Sequence, residues 1–96
     1  MILSVLSALA EPTRLAAIRL LADGNEHCIC ELMPKLNATQ SRMSRHMQTL
    51  KQAGLVIDRR DAQWVRYRLN PHMPRNITSV LKAVLDAEPE QERSAA

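Results

Sequence analysis

Two cysteines, Cys28 and Cys30, stand one residue apart in Glu26-His27-Cys28-Ile29-Cys30-Glu31. In a cytosolic chain such close thiols are reduced, and they point to metal or redox chemistry more than to a structural cross-link. Thiolate-only ligation selects soft species such as As(III), Sb(III), Cd(II) or Hg(II). On a regular helix residues i and i+2 point about 200° apart, because each residue turns about 100°. Chelation of one ion therefore requires Cys28 at or before a helix start, or an unwound first turn. Met33 is a weak thioether and a poor replacement for a third thiolate. His27 could assist a divalent ion, but as a neighbour of a helix cap it is expected in solvent. The plainer alternative is that Cys28 and Cys30 are two small apolar residues at a helix start, one of them buried.

A second stretch carries different chemistry. Asn37 to Gly54 reads as one helix with a turn at each end. Met43, Met47 and Leu50 make one apolar face at i, i+4 and i+7. Either Thr39 or Asn37 can cap its start, and Gly54 stops it. Gln40, Ser41, Arg42, Ser44, Arg45 and His46 crowd its N-terminal half. Gln can pair with adenine, Arg with guanine, and Ser with a phosphate or either base, so the stretch suits a DNA major groove. A solvated amphipathic helix is the plainer reading of these residues taken alone. His46 is expected to pack or to meet a phosphate rather than read a base.

The elements around these stretches set the fold. Ninety-six residues allow one domain, here 1–87, followed by a polar tail at 88–96 expected to be flexible. With one Trp, one Tyr and no Phe, the core must be aliphatic, which favours packed helices. Ile2, Val5, Leu6 and Leu9 have helical spacing, and so do Leu15, Ile18 and Leu21 after Pro12. Ile29, Leu32 and Leu36 predict a short third helix just before the reading stretch. Two short helices joined by a tight turn, the second basic at its start, make a helix-turn-helix. After Gly54 the period changes. Leu55-Val56-Ile57 is β-prone, and Val65, Tyr67 and Leu69 alternate with Arg66 and Arg68, which predicts a hairpin. Its connection, Asp61-Ala62-Gln63, lacks Gly and is expected to exceed two residues. Trp64 is expected to anchor the hairpin to the body. Ile77, Val80, Leu81, Val84 and Leu85 stripe a last helix from Pro74 to Asp86, closed by Glu88-Pro89. The order α-α-α-α-β-β-α, mostly α with a small β-hairpin, is a winged helix-turn-helix.

Charge agrees with a polyanionic partner. The chain carries only +3 overall, but the block from Arg42 to Arg68 carries a net five positive charges. Within it Arg59, Arg60, Arg66 and Arg68 belong to the hairpin and should mainly meet phosphates. No stretch is long and apolar enough to span a bilayer, and Met1 to Ala10 has no basic leader, so a cytoplasmic protein without a membrane partner is expected.

Five pieces of the sequence, in order, resemble the ArsR/SmtB family of metal-responsive repressors. They are Leu9-Ala10-Glu11-Pro12-Thr13-Arg14-Leu15, Cys28-Ile29-Cys30-Glu31-Leu32, Gln40-Ser41 with Ser44-Arg45-His46, Ala53-Gly54-Leu55-Val56, and Trp64-Val65-Arg66-Tyr67-Arg68-Leu69. The resemblance runs from about Leu6 to Pro71. It implies a homodimer joined through the first and last helices, with Ile2, Val5, Leu6, Ile77, Val80, Leu81, Val84 and Leu85 at the interface. It implies binding to double-stranded operator DNA, an inverted repeat, with no cofactor needed. Release would follow when As(III) or Sb(III), or an organoarsenical, binds Cys28 and Cys30. Three departures stand out. Arsenic sensors of the enteric plasmid type carry a third Cys where this chain has Met33. The last helix has no His for a zinc site, and the wing turn lacks Gly.

Two neighbouring functions compete on the same fold: a Cd- or Hg-responsive repressor, and a thiol-based redox or reactive-sulfur sensor. The redox reading needs the two cysteines to cross-link, and thiols at i and i+2 make a strained ring. An enzyme using Cys-x-Cys is disfavoured, since the chain has no paired base and no cofactor loop.

Overall fold

The computed structural model describes residues 2–95, and the side chains of residues 2–87. Five helices and three short strands follow in the order α1 (Ile2–Leu9), α2 (Pro12–Leu21), β1 (His27–Cys28), α3 (Ile29–Leu36), α4 (Gln40–Gln52), β2 (Val56–Asp61), β3 (Trp64–Leu69) and α5 (Arg75–Ala95). This is the winged helix-turn-helix expected from the sequence, with one strand more. β1 was not foreseen. It is two residues long and pairs antiparallel with β3, which places β3 in the middle of a three-stranded sheet, β1-β3-β2.

The helix boundaries follow from local chemistry. Glu11 caps α2 by accepting from Arg14 N at 2.7 Å, and Pro12 fills the first helical position, where no N–H is needed. Thr39, rather than Asn37, caps α4, accepting from Arg42 N at 3.3 Å. Asn37 instead ends α3 in the left-handed region, with φ 52°, which its short amide tolerates. Pro34 lies in the second turn of α3. Gly54, at φ 83°, turns the chain out of α4, while Leu55 N donates to Leu50 O and Gly54 N to Lys51 O. That pair of bonds satisfies two carbonyls at the helix end.

The core is aliphatic, as the composition requires. Ala17, Ile18, Leu21, Leu32, Met43, Met47, Leu50 and Leu55 are completely buried, so α2, α3 and α4 share one centre. Met43, Met47 and Leu50 are the predicted apolar face of α4. Tyr67 docks the wing onto this centre. Trp64, expected to do so, is 37% exposed. Its register partner is Asp61, at the tip of the hairpin, which puts it beyond the reach of the body.

The hairpin turn also departs from expectation. β2 and β3 are joined by Ala62 and Gln63 alone. Ala62 takes φ 58°, the conformation that Gly would adopt without strain. Asn70 fastens the exit of the wing to the end of α4, through Asn70 Nδ2 to Gly54 O and Asn70 N to Leu55 O, both 3.0 Å. The helix stop expected at Glu88-Pro89 is corrected, since α5 runs through both residues to Ala95; the side chains of 88–96 lie outside those described. Among the described residues no helix is long and apolar enough to cross a membrane.

Candidate thiol site and nucleic-acid interface

Cys28 is not on α3 but at its N-cap, with extended backbone at φ −68° and ψ 144°. That is the arrangement two thiols at i and i+2 need in order to meet. The Cys28 side chain folds over the first turn, and its Sγ accepts from Cys30 N at 3.3 Å. Glu31 reaches back to accept from Cys28 N at 3.0 Å, completing a capping box in which a thiol replaces the usual hydroxyl. The two sulfurs are joined as a disulfide, with the Cα atoms 5.1 Å apart. The expectation that thiols at i and i+2 resist meeting is corrected here, because the cap conformation removes the angular separation that two positions on a regular helix would impose. Cys28 is buried and Cys30 exposed, so the pair can be approached from one side.

His27 is not the solvent-exposed neighbour expected. Its side chain is 13% exposed, and Nε2 lies 2.9 Å and 3.1 Å from the two carboxylate oxygens of Asp23. The carboxylate only accepts, so Nε2 carries the proton. Nδ1 faces Glu31 Oε2 at 3.9 Å, too far for a hydrogen bond, and is buried without a partner. The Asp23 carboxyl is held below its ordinary range, first by the Asn25 backbone N–H and then by His27. Among the described residues no group of three or more His, Cys, Asp and Glu side chains is arranged to hold a metal ion.

On α4, Gln40, Ser41, Arg42 and Arg45 are exposed, and Ser44 and His46 are partly so. Arg42, Arg45 and His46, at i, i+3 and i+4, line an open, polar hollow of about 350 Å³ on the outer side of the helix. Behind it His46 Nδ1 accepts from Arg14 Nη1 at 3.3 Å, and Glu11 Oε1 lies 3.8 Å away. Since a guanidinium only donates, Nδ1 accepts in this contact and Nε2 is left as a donor. Arg14 also donates through Nε to Ala8 O at 2.7 Å and through Nη2 to Ser7 O at 3.3 Å. It thus ties the end of α1 to the reading helix, a role the sequence reading missed. An Arg facing carbonyls rather than acids leaves no charge pattern to find.

Cross-strand partners lie on one face of a sheet. Register therefore puts Ile57, Arg59, Arg66 and Arg68 on one face, and Val56, Arg60, Val65, Tyr67 and Leu69 on the other. The wing cations are less available than expected. Arg59 is held by Glu26, with Nη2 to Oε1 at 2.7 Å and Nε to Oε2 at 2.9 Å, and Arg66 by Asp61 at 2.8 Å. On the reading helix, Lys51 pairs with Asp58 at 3.1 Å.

The apolar residues expected at a subunit interface divide into two groups. Val5, Ile77 and Leu81 are buried in the chain's own core. Ile2 and Leu6 are exposed, with Leu3 beside them at 77%, and Val80, Val84 and Leu85 are half-buried. Leu3 was not foreseen, because it lies off the i, i+3, i+4 stripe of α1.

Comparison with known proteins agrees with this architecture. HlyU from Vibrio cholerae N16961 superposes with a TM-score of 0.76 at 30% identity, covering 90% of this chain and 89% of HlyU. The homodimeric winged helix-turn-helix DNA-binding domain Mb0332 from Mycobacterium bovis gives 0.75 at 26% identity, over 93% of this chain and 79% of its own. The arsenic resistance transcriptional regulator ArsR1 of Pseudomonas putida is 43% identical over 86 residues, 90% of this chain and 67% of that protein. Residues 11–58, from the cap of α2 into β2, match the bacterial regulatory protein, arsR family, description, and the chain belongs to that family.

Proposed function

We propose that this protein is a homodimeric transcriptional repressor that leaves its operator when trivalent arsenic or antimony bridges Cys28 and Cys30. The observation that carries the reading is the N-cap placement of Cys28, which brings both sulfurs together immediately before the helix-turn-helix. The arsenic-resistance regulator named above supports the choice of metalloid. The arsenical takes the dithiol form. The disulfide is two electrons more oxidised and must first be opened by a thiol reductant. Arsenous acid then gives up two hydroxides, each leaving as water with one thiol proton, and keeps the third. A methyl- or aryl-arsenical needs only the two sulfurs this chain offers, and is expected to be at least as effective as arsenite. Zinc should be a poor inducer, because two thiolates leave its four-coordinate shell incomplete. Localisation in the cytoplasm follows from action on DNA.

DNA contact falls to Gln40, Ser41, Arg42, Ser44, Arg45 and His46 on α4, and to Arg60 and Arg68 on the wing. Arg59 and Arg66 join them only by exchanging a carboxylate for a phosphate. A second copy would cover Ile2, Leu3 and Leu6 of α1 with the half-buried side of α5. It would present two reading helices about 34–36 Å apart, hence an inverted-repeat operator.

Fluorescence anisotropy on operator DNA, with protein kept reduced by a phosphine, tests the reading. Arsenite and phenylarsine oxide should release the wild type, and Cys28→Ser or Cys30→Ser should bind DNA but not release. Release by zinc at lower concentration than by arsenite would refute it. A thiol redox sensor is the second reading, favoured by the Cys28–Cys30 disulfide itself. It predicts that mild oxidation, with the mass loss of two hydrogens, releases the operator without any metalloid.

A further inference from the structure

β1 is held to the wing by very little. Only two register pairs join it to β3, His27 with Tyr67 and Cys28 with Arg66. The next strand places Arg59 opposite Arg66. Two like charges directly across a sheet destabilise it unless each finds an acid. Arg66 has Asp61 within the hairpin. Arg59 finds its acid 33 positions away in Glu26, which stands two residues before Cys28 and so on the same face of the sheet. Both guanidinium contacts are short, and the carboxyl is held below its ordinary range chiefly by Arg59, with Arg66 and Arg68 adding to it. Glu26 is therefore the third tie between the thiol-bearing segment and the wing, and the one made by side chains.

We propose that Glu26 is a positioning residue that couples Arg59 of the wing to the segment bearing Cys28, so that occupation of the thiol pair is felt at the wing. The inference rests on the reading of Cys28 and Cys30 as the inducer site. In the dithiol the two sulfurs turn independently, and an arsenic bridging them fixes their spacing and direction. Cys30 is fixed on α3, whereas Cys28 precedes the helix and is held there by Glu31 and by its pairing with Arg66 on β3. The adjustment therefore falls on β1 and on the Glu26–Arg59 pair. Wing and reading helix then no longer share one arrangement, and the operator-competent state loses population. An exposed ion pair with no such role would contribute little and transmit nothing.

The test uses the full chain, reduced with a phosphine, and phenylarsine oxide as probe. The arsenic takes both sulfurs, the two thiol protons leave with its oxygen as water, and no electrons move. Amide exchange over 64–69 is followed by mass spectrometry with and without the adduct, beside operator binding. In the wild type the adduct should speed exchange of β3 by about fivefold or more. In Glu26→Gln exchange should already be fast, and the adduct should add less than about twofold. The freed Arg59 should also steepen the salt dependence on random-sequence DNA by about one counterion. Arg59→Gln breaks the same tie from the other side, and should show the same exchange without the steeper salt dependence. An adduct that leaves the wild-type wing unchanged, or a Glu26→Gln protein that responds like the wild type, overturns the inference while sparing the inducer reading. No adduct on the reduced wild type overturns that reading, and this inference with it.

Discussion

Replacing Arg14 tests whether α1 and the reading helix are held as one unit. Arg14→Met keeps the apolar stem and removes the guanidinium, so packing and hydrogen bonding separate. The contact with Ala8 O, at 2.7 Å, is the strong one. Ala8 is 1% exposed, so little water can replace the lost donor. A hydrogen bond from a charged donor contributes about 1.5–3 kcal/mol when its acceptor is shielded. Ser7 O at 3.3 Å keeps a second donor in Ala10 N, and its loss should cost only about 0.5 kcal/mol. The His46 contact is as long and adds a similar amount, about 0.5 kcal/mol. The expected total is about 2.5–4 kcal/mol, or a fall of about 2–3 M in urea midpoint for a chain of this size. Urea unfolding at one fixed protein concentration measures it, since a dimer's stability varies with concentration. Arg14→Lys keeps the charge but not the fork and should recover about half. Operator affinity of Arg14→Met should fall at least about fivefold, because His46 and the start of α4 lose their support. A loss below about 0.5 kcal/mol, or a Lys variant equal to wild type, would refute the argument.

Three further outcomes follow from named positions. Ala62→Gly removes the left-handed cost at the wing turn, offset in part by the freer unfolded chain, and should raise stability by about 0.5–1 kcal/mol in thermal unfolding. Burial, and then the Asp58 carboxylate, raise the Tyr67 phenol above its ordinary value of 10.0. The raised folded value means its contribution is complete below pH 10.0 and is lost as pH rises through the folded value, so Tyr67→Phe should flatten the alkaline fall in thermal midpoint. Arg42→Ala should cost the operator about 1–3 kcal/mol and relax base preference, whereas Arg68→Ala should weaken operator and random DNA alike and lower the salt slope; equal losses for Arg42→Ala on both DNAs would contradict its role.

The parts of the fold legible in the sequence were those governed by period. The stripe of Met43, Met47 and Leu50 and the alternation of Val65, Tyr67 and Leu69 each bury one face, and each is found buried or half-buried where expected. The parts not legible depend on partners far along the chain. β1 is too short to show a period and exists only because β3 offers it an edge. The Glu26–Arg59 pair spans 33 positions and the Arg14–His46 contact 32, and neither leaves a local signal. The helix-start position of Cys28 was raised as a condition of chelation, but the capping box that fixes it there was missed although it left a signal. Cys28 and Glu31 stand at the spacing of a capping box, and reading the thiol in place of a hydroxyl would have put Cys28 at the cap.

That substitution bears on why a sensor would sit at this position. A hydroxyl cap accepts one N–H and does nothing else. A thiol there satisfies the same donor, as Cys28 does for Cys30 N, and is also a ligand for soft ions. The bond that starts α3 and the bond that would capture a metalloid therefore compete for one sulfur. Ligand capture would therefore act directly on the helix start, and α3 is joined to α4 by only Asn37, Ala38 and Thr39. Met33 lies further along the same helix, half-buried against the core, where a third thiol would have to leave its packing to join the pair. A two-sulfur site at the cap needs no such movement, which is the physical reason to expect that an arsenical supplying its own third substituent fits this chain best.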